Sequence, residues 1–212
     1  RYGSDSKRTK LLLATALNDV FCALDWDLAQ PVEKQEGERC MRKQETDKRL
    51  QWVLSLEMSR ENNFHLSQRK IRDILTMPQD RRASKPNGVW YAPGSEWRSW
   101  THSEMPSLLA KYKALYDIEI TGSVLRIATP ADVHEFMERY GRPLRPGLRH
   151  ENKNPDWVKV AQDWAGIEVN PYHWDLRFTY LWYSGLDVPS GCVWDPSGAS
   201  VRLVDFNEKE NQ

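Results

Sequence analysis

The sequence predicts an α+β fold preceded by a small helical subdomain. Three observations predict it. Apolar residues recur at helical spacing up to about residue 60. After Glu61 the segments shorten, and Gly and Pro punctuate them. No βαβ regularity and no glycine fingerprint marks a Rossmann sheet. The expected domains are a helical subdomain over 1–60 and an α+β domain over 61–212.

In the subdomain, Leu13, Leu17, Val20, Phe21, Leu24 and Leu28 make one apolar stripe on a helix over 9–29, which Pro31 ends. Glu33 to Arg49 is almost all charged or Gln, so it is an exposed helix or a mobile loop and not core. Leu50, Trp52, Val53, Leu54, Leu56 and Met58 form a second apolar helical segment.

In the α+β part, Phe64–Ser67 reads as a short strand and Ile71–Leu75 as a short helix. Val89–Ala92 is a strand between Lys85-Pro86-Asn87-Gly88 and Pro93-Gly94. Leu108, Leu109, Tyr112 and Leu115 mark a helix. Tyr116, Ile118 and Ile120 alternate with Asp117, Glu119 and Thr121, the period of a half-buried strand. Gly122-Ser123 then predicts a hairpin into Val124–Ala128. Thr129-Pro130-Ala131-Asp132 is a helix start, with Val133, Phe136, Met137 and Tyr140 as its buried stripe. Asn154-Pro155-Asp156 repeats the device ahead of Trp157, Val160, Ala161 and Trp164. Gly141 to Asn154 is a basic, Pro-rich loop. Gly166–Val169, Tyr180–Tyr183, Cys192–Trp194 and Val201–Val204 complete the strand candidates.

Composition narrows the function. Thirty basic and thirty acidic residues give a net charge of zero, so nothing in the bulk charge drives binding to nucleic acid or an anionic membrane. The longest apolar run, Leu11 to Leu17, is far short of a membrane span. Three cysteines, Cys22, Cys40 and Cys192, give no disulfide framework and no zinc spacing, which fits a reducing compartment. The histidines form no metal pair, so no metal is expected. The outlier is ten tryptophans: such a chain packs many aromatics or holds a flat ligand on them.

Three segments are candidates for chemistry. In Phe64-His65-Leu66-Ser67, His65 and Ser67 share one face of a strand and offer hydrogen bonds to a ribose or an amide. Gly88-Val89-Trp90-Tyr91-Ala92-Pro93-Gly94-Ser95 ends a strand in adjacent aromatics that suit a flat ligand. In Tyr183 to Trp194, Asp187 stands at a strand entrance, where Trp182 and Trp194 can desolvate it. Each also has a plain reading: a satisfied histidine, core aromatics, a turn-forming Asp. Glu96 is a minor candidate. Glu168 is expected to be solvated. No G-x-S-x-G elbow supports a hydrolase, and Cys192, in an apolar strand, reads as inert.

Taken in order, the three segments resemble the motifs of the ADP-ribosyltransferase superfamily over about residues 61–205. Phe64-His65-Leu66-Ser67 is similar to its His-type first motif, Trp90-Tyr91-Ala92 to the second, and Asp187 with Ser190-Gly191-Cys192-Val193-Trp194 to the third, with Asp in place of the commoner Glu. The resemblance implies a core of two small, roughly perpendicular sheets with NAD in the cleft between them. His65, Leu66, Ser67, Trp90, Tyr91, Ala92, Ser95 and Ser190 would bind NAD, with Tyr91 stacked on the nicotinamide. His65 and Asp187 would be the catalytic pair, Asp187 accepting a hydrogen bond from the ribose 2′-hydroxyl. Gly185 stands where arginine-modifying members carry Glu or Gln, which disfavours arginine as acceptor. The helical subdomain and Trp-rich body are similar to a bacterial effector group that modifies threonine on ubiquitin. The alternatives are a Trp-rich module that binds protein or carbohydrate without catalysis, and a related nucleotide-transfer reaction such as phosphate removal from RNA, which the neutral charge disfavours.

Overall fold

The computed structural model of the protein describes residues 32–143 and 153–207. Residue proximity divides the chain into two units, Arg1–Gln44 and Glu45–Gln212. The helix expected over 9–29 lies outside the described residues. Helix α1 (Val32–Ser55) passes the division. Its charged stretch is exposed from Arg39 to Lys48, and its apolar end packs into the second unit. There Val53 and Leu56 join Phe64, Leu66, Leu109, Tyr112 and Leu115 in one core cluster. Carbonyls orphaned at the end of α1 are met by Arg98, whose Nη1 donates to Val53 O at 3.4 Å and Leu54 O at 3.5 Å, and to Leu56 O just past the helix at 2.5 Å.

The second unit is α+β, as predicted. Its strands are β1 (Asn63–Ser67), β2 (Val89–Pro93), β3 (Ala114–Ile120), β4 (Val124–Ile127), β5 (Gly141–Pro143), β6 (Lys153–Pro155), β7 (Gly166–Val169), β8 (Ser190–Val193) and β9 (Ala199–Phe206). Seven of them hydrogen-bond in the order β4-β7-β8-β2-β1-β3-β9, and β5 and β6 form a separate pair. Helices α2 (Glu96–Glu104), α3 (Pro106–Leu109), α4 (Pro130–Tyr140) and α5 (Trp157–Asp163) are inserted between strands. Among the described residues no helix is long and apolar enough to cross a membrane.

Local chemistry explains the elements that match. Thr129 and Asp132 close a capping box at the start of α4, with Pro130 in the first turn. Val133, Phe136, Met137 and Tyr140 are all buried, as their spacing requires. Asp156 caps α5 by accepting from Lys159 N; Asn154 and Pro155, expected to share that task, lie in β6 instead. The loop read over Gly141–Asn154 thus has both its ends paired as β5 and β6.

Four other expectations fail for reasons outside the local sequence. Ile71–Leu75 is not helical. Its backbone bonds elsewhere: Ile71 N donates to the Tyr116 hydroxyl at 2.8 Å, and Met77 N, two residues past Leu75, to Trp194 O at 2.8 Å. The helix over Leu108 to Leu115 shrinks to the single turn α3, because Lys113 N joins Ser67 O and Leu115 enters β3; α2, just before it, was not foreseen. The hairpin at Gly122-Ser123 does not form. Both edges of β3 are taken, by β1 and β9, so Val124 crosses to pair in parallel with Gly166. Tyr180–Tyr183 is no strand but a turn running into a 3-10 helix at Tyr183–Gly185. Its backbone bonds locally instead of to a neighbouring strand: Ser184 N donates to Tyr180 O and Gly185 N to Trp182 O.

Candidate functional site

The site begins at a seam in the large sheet. β1 and β2 pair only at Asn63 with Pro93 and Phe64 with Ala92. Beyond those two pairs, β1 continues along β3 and β2 continues along β8. Where the ladder stops, His65 supplies a replacement bond: its Nδ1 lies 2.5 Å from Trp90 O. A carbonyl oxygen only accepts, so Nδ1 carries the proton and Nε2 is left as an acceptor. Burial holds the imidazole below its ordinary pKa, with the Trp90 carbonyl opposing more weakly, so His65 is neutral at pH 7.

At the seam lies a cleft of about 260 Å³, lined by His65, Leu66, Trp90 and Tyr91 from β1 and β2 and by Gly185, Leu186 and Ser190 from the segment that leads into β8. Phe64, Trp97 and Tyr112 close the apolar end, where Trp97 Nε1 donates to the Tyr112 hydroxyl at 3.1 Å. Lys85 completes the lining. The volume falls just below the usual range for small-molecule sites of about 300–1,000 Å³, so it takes one ring-sized group and leaves the rest of a longer ligand outside.

Asp187 follows the lining residue Leu186 and is not itself among the lining residues, though its charge acts on Lys85, which is. Asp187 is a non-glycine residue with a positive φ, 61°. Asp tolerates the left-handed region better than most residues. Its Oδ1 accepts from Arg177 Nη2 at 2.7 Å, and both side chains are largely shielded, at 21% and 30% exposure. Arg177 in turn stacks over the Trp174 ring at 4.7 Å. The acid is therefore fixed, not a freely rotating turn residue.

Tyr91 has a different part from the one expected. It is only 3% exposed and its ring lies across Gly191, so its face is not offered to a ligand. A methyl group at Gly191 would overlap that ring. The hydroxyl donates to Glu168 Oε2 at 3.0 Å, which corrects the expectation that Glu168 is solvated. Register explains this. Arg126, Glu168, Gly191 and Tyr91 stand opposite one another across β4, β7, β8 and β2, and Arg126 Nε approaches Glu168 at 3.9 Å. Burial and the Glu168 charge drive the Tyr91 phenol far up, so it stays protonated. The aromatic side chain left half-buried at the cleft is Trp90.

Of the other candidates, Ser190 is buried at the cleft, its hydroxyl donating to Val188 O at 2.9 Å. Ser67 and Ala92 lie on β1 and β2 but are not among the lining residues; Ser67 Oγ accepts from Arg69 N, and Ala92 is buried. Ser95 precedes α2 without capping it through its side chain, and Glu96 begins that helix, exposed. Cys192 is fully buried, and burial pushes its thiol up, away from the nucleophilic thiolate. Lys85, Arg177, Trp97 and Tyr112 went unforeseen. The place of Lys85 in the turn before β2 is visible in the sequence, but nothing there marks it as a site residue. Comparison with protein-family models, with curated proteins and with solved structures gives no match to this chain.

Proposed function

We propose that the protein is an NAD-dependent mono-ADP-ribosyltransferase acting on a protein acceptor. One observation carries the reading: three segments far apart in sequence converge on neighbouring strands. His65 lies on β1, Trp90 and Tyr91 on β2, and Asp187 stands at the entry to β8, in the sheet order β8-β2-β1. That juxtaposition, with a cleft between the diverging strands, supports the ADP-ribosyltransferase arrangement with NAD as substrate.

In this reading Trp90, not Tyr91, faces the nicotinamide ring. Neutral His65 offers Nε2 as an acceptor to the adjoining ribose. Arg177 holds Asp187 through Oδ1 and leaves Oδ2 for the 2′-hydroxyl. The bond from C1′ to the nicotinamide nitrogen breaks, and its electron pair neutralises the pyridinium. Positive charge builds on the sugar, and the fixed Asp187 carboxylate stabilises it. An acceptor hydroxyl then bonds to C1′ and gives its proton to solvent. Gly185, two residues before Asp187, leaves no carboxylate or amide to guide an arginine, so a hydroxyl acceptor such as a threonine of ubiquitin fits the reading.

The test is nicotinamide release from NAD by the full chain, with and without ubiquitin. The wild type is expected to release it, and Asp187→Asn to lose roughly 100- to 1,000-fold in rate. Asn is chosen because it tolerates the left-handed backbone. Calorimetry that finds no NAD binding overturns the reading. It would favour the non-catalytic binding module, for which the exposed Trp174, Phe178 and Leu181 are the specific observation.

A further inference from the structure

Lys85 is the one charged side chain among the described residues that line the cleft, since His65 is neutral there. It comes from the turn before β2 and lies across the mouth. Its Nζ is 5.8 Å from the centre of the Trp90 ring, and it passes close enough to Gly185 that a methyl there would lie 2.7 Å from Lys85 Cε. The flexible end of the lysine therefore lies directly against Gly185. No carboxylate lies within ion-pair distance of its Nζ among the described residues. The nearest charge acting on it is Asp187, which already holds Arg177. With Asp187 taken by Arg177, Lys85 brings to the cleft lining a positive charge that no ion pair among the described residues offsets.

We propose that Lys85 is the anion-binding residue of the cleft and takes the diphosphate of the dinucleotide, while Trp90 holds the ring. This rests on the NAD reading above for the identity of the ligand, but not for its charge. An ammonium beside an aromatic wall is short of water and gains by meeting a phosphate, and partial removal of water already lowers the Lys85 pKa, with Asp187 opposing. Lys85 as a residue is exposed, so its ammonium can move to meet a ligand without disturbing the fold.

Calorimetry of the full chain with NAD, ADP-ribose, inorganic pyrophosphate and nicotinamide riboside tests it, alongside the KM for NAD. Lys85→Met is expected to weaken NAD and ADP-ribose by roughly 10- to 100-fold and to flatten the salt dependence of binding. Nicotinamide riboside, which has no diphosphate, should bind both proteins alike. Lys85→Arg should keep most of the affinity. Equal affinity of wild type and Lys85→Met for NAD or ADP-ribose overturns the assignment, even if NAD is turned over. If ADP-ribose and pyrophosphate bind in a Lys85-dependent way but NAD is never consumed, the anion site stands and the transferase reading falls.

Discussion

Trp157, Trp182 and Trp194 are sealed in one cluster, at 1%, 2% and 2% exposure, whereas Trp174 and Phe178, on the segment after β7, stand 59% and 91% in solvent. The first group forms a wall behind β7 and β8. Trp157 meets Trp182 edge-on at 5.9 Å, and Phe136, Tyr140, Tyr172 and Tyr183 fill in around them. The second group is a lip, tied to Asp187 through Arg177. The contrast shows that a high tryptophan count has no single meaning. Trp157, Trp182 and Trp194 supply buried area, and the rings that packing leaves open bear on recognition.

The wall gives the largest expected effect. Trp157→Ala should cost about 3–5 kcal/mol and lower Tm by on the order of 10 °C, measured by thermal unfolding. Trp157→Phe should cost less, because it also removes an indole N–H that is buried without a partner. A shift too small to resolve would break the distinction between wall and lip. Between the two regions, His65 gives a smaller, pH-dependent effect. Its folded pKa lies below the unfolded value, so the unfolded chain takes up the proton first as pH falls. Stability should be constant above the ordinary imidazole pKa of 6.5 and decline below it. In His65→Gln that part of the decline should vanish when Tm is followed from pH 8 to pH 5. The smallest effect belongs to the lip: Phe178→Ser should move stability by no more than about 0.5 kcal/mol. A clear loss of Tm would mean that this ring is packed.

What the sequence revealed, and what it hid, follows the range of the interactions. β1, β2, β3 and β9 were legible because alternation and turn residues are local signals, and the cap on α4 was legible because Thr129 and Asp132 sit three residues apart. The convergence of β1, β2 and β8 came only as an implication of a resemblance. Glu168 was misplaced because a strand's two faces look alike in sequence, and nothing near it names Tyr91, 77 residues away, as its partner. The false hairpin has the same origin: Gly122-Ser123 does turn the chain, but β9 has filled the edge that Val124 would need. Lys85 and Arg177 were missed because a single cation in a turn carries no pattern.

The positive φ at Asp187 restricts which side chains that position accepts. Only glycine, asparagine and aspartate sit there at little cost. Lengthening the acid to glutamate is therefore two changes at once: the backbone is strained and the carboxylate moves out by a methylene. A library randomised at 187 should for that reason retain folded clones with three small residues and active ones with a single short acid, a narrower alphabet than the chemistry alone demands.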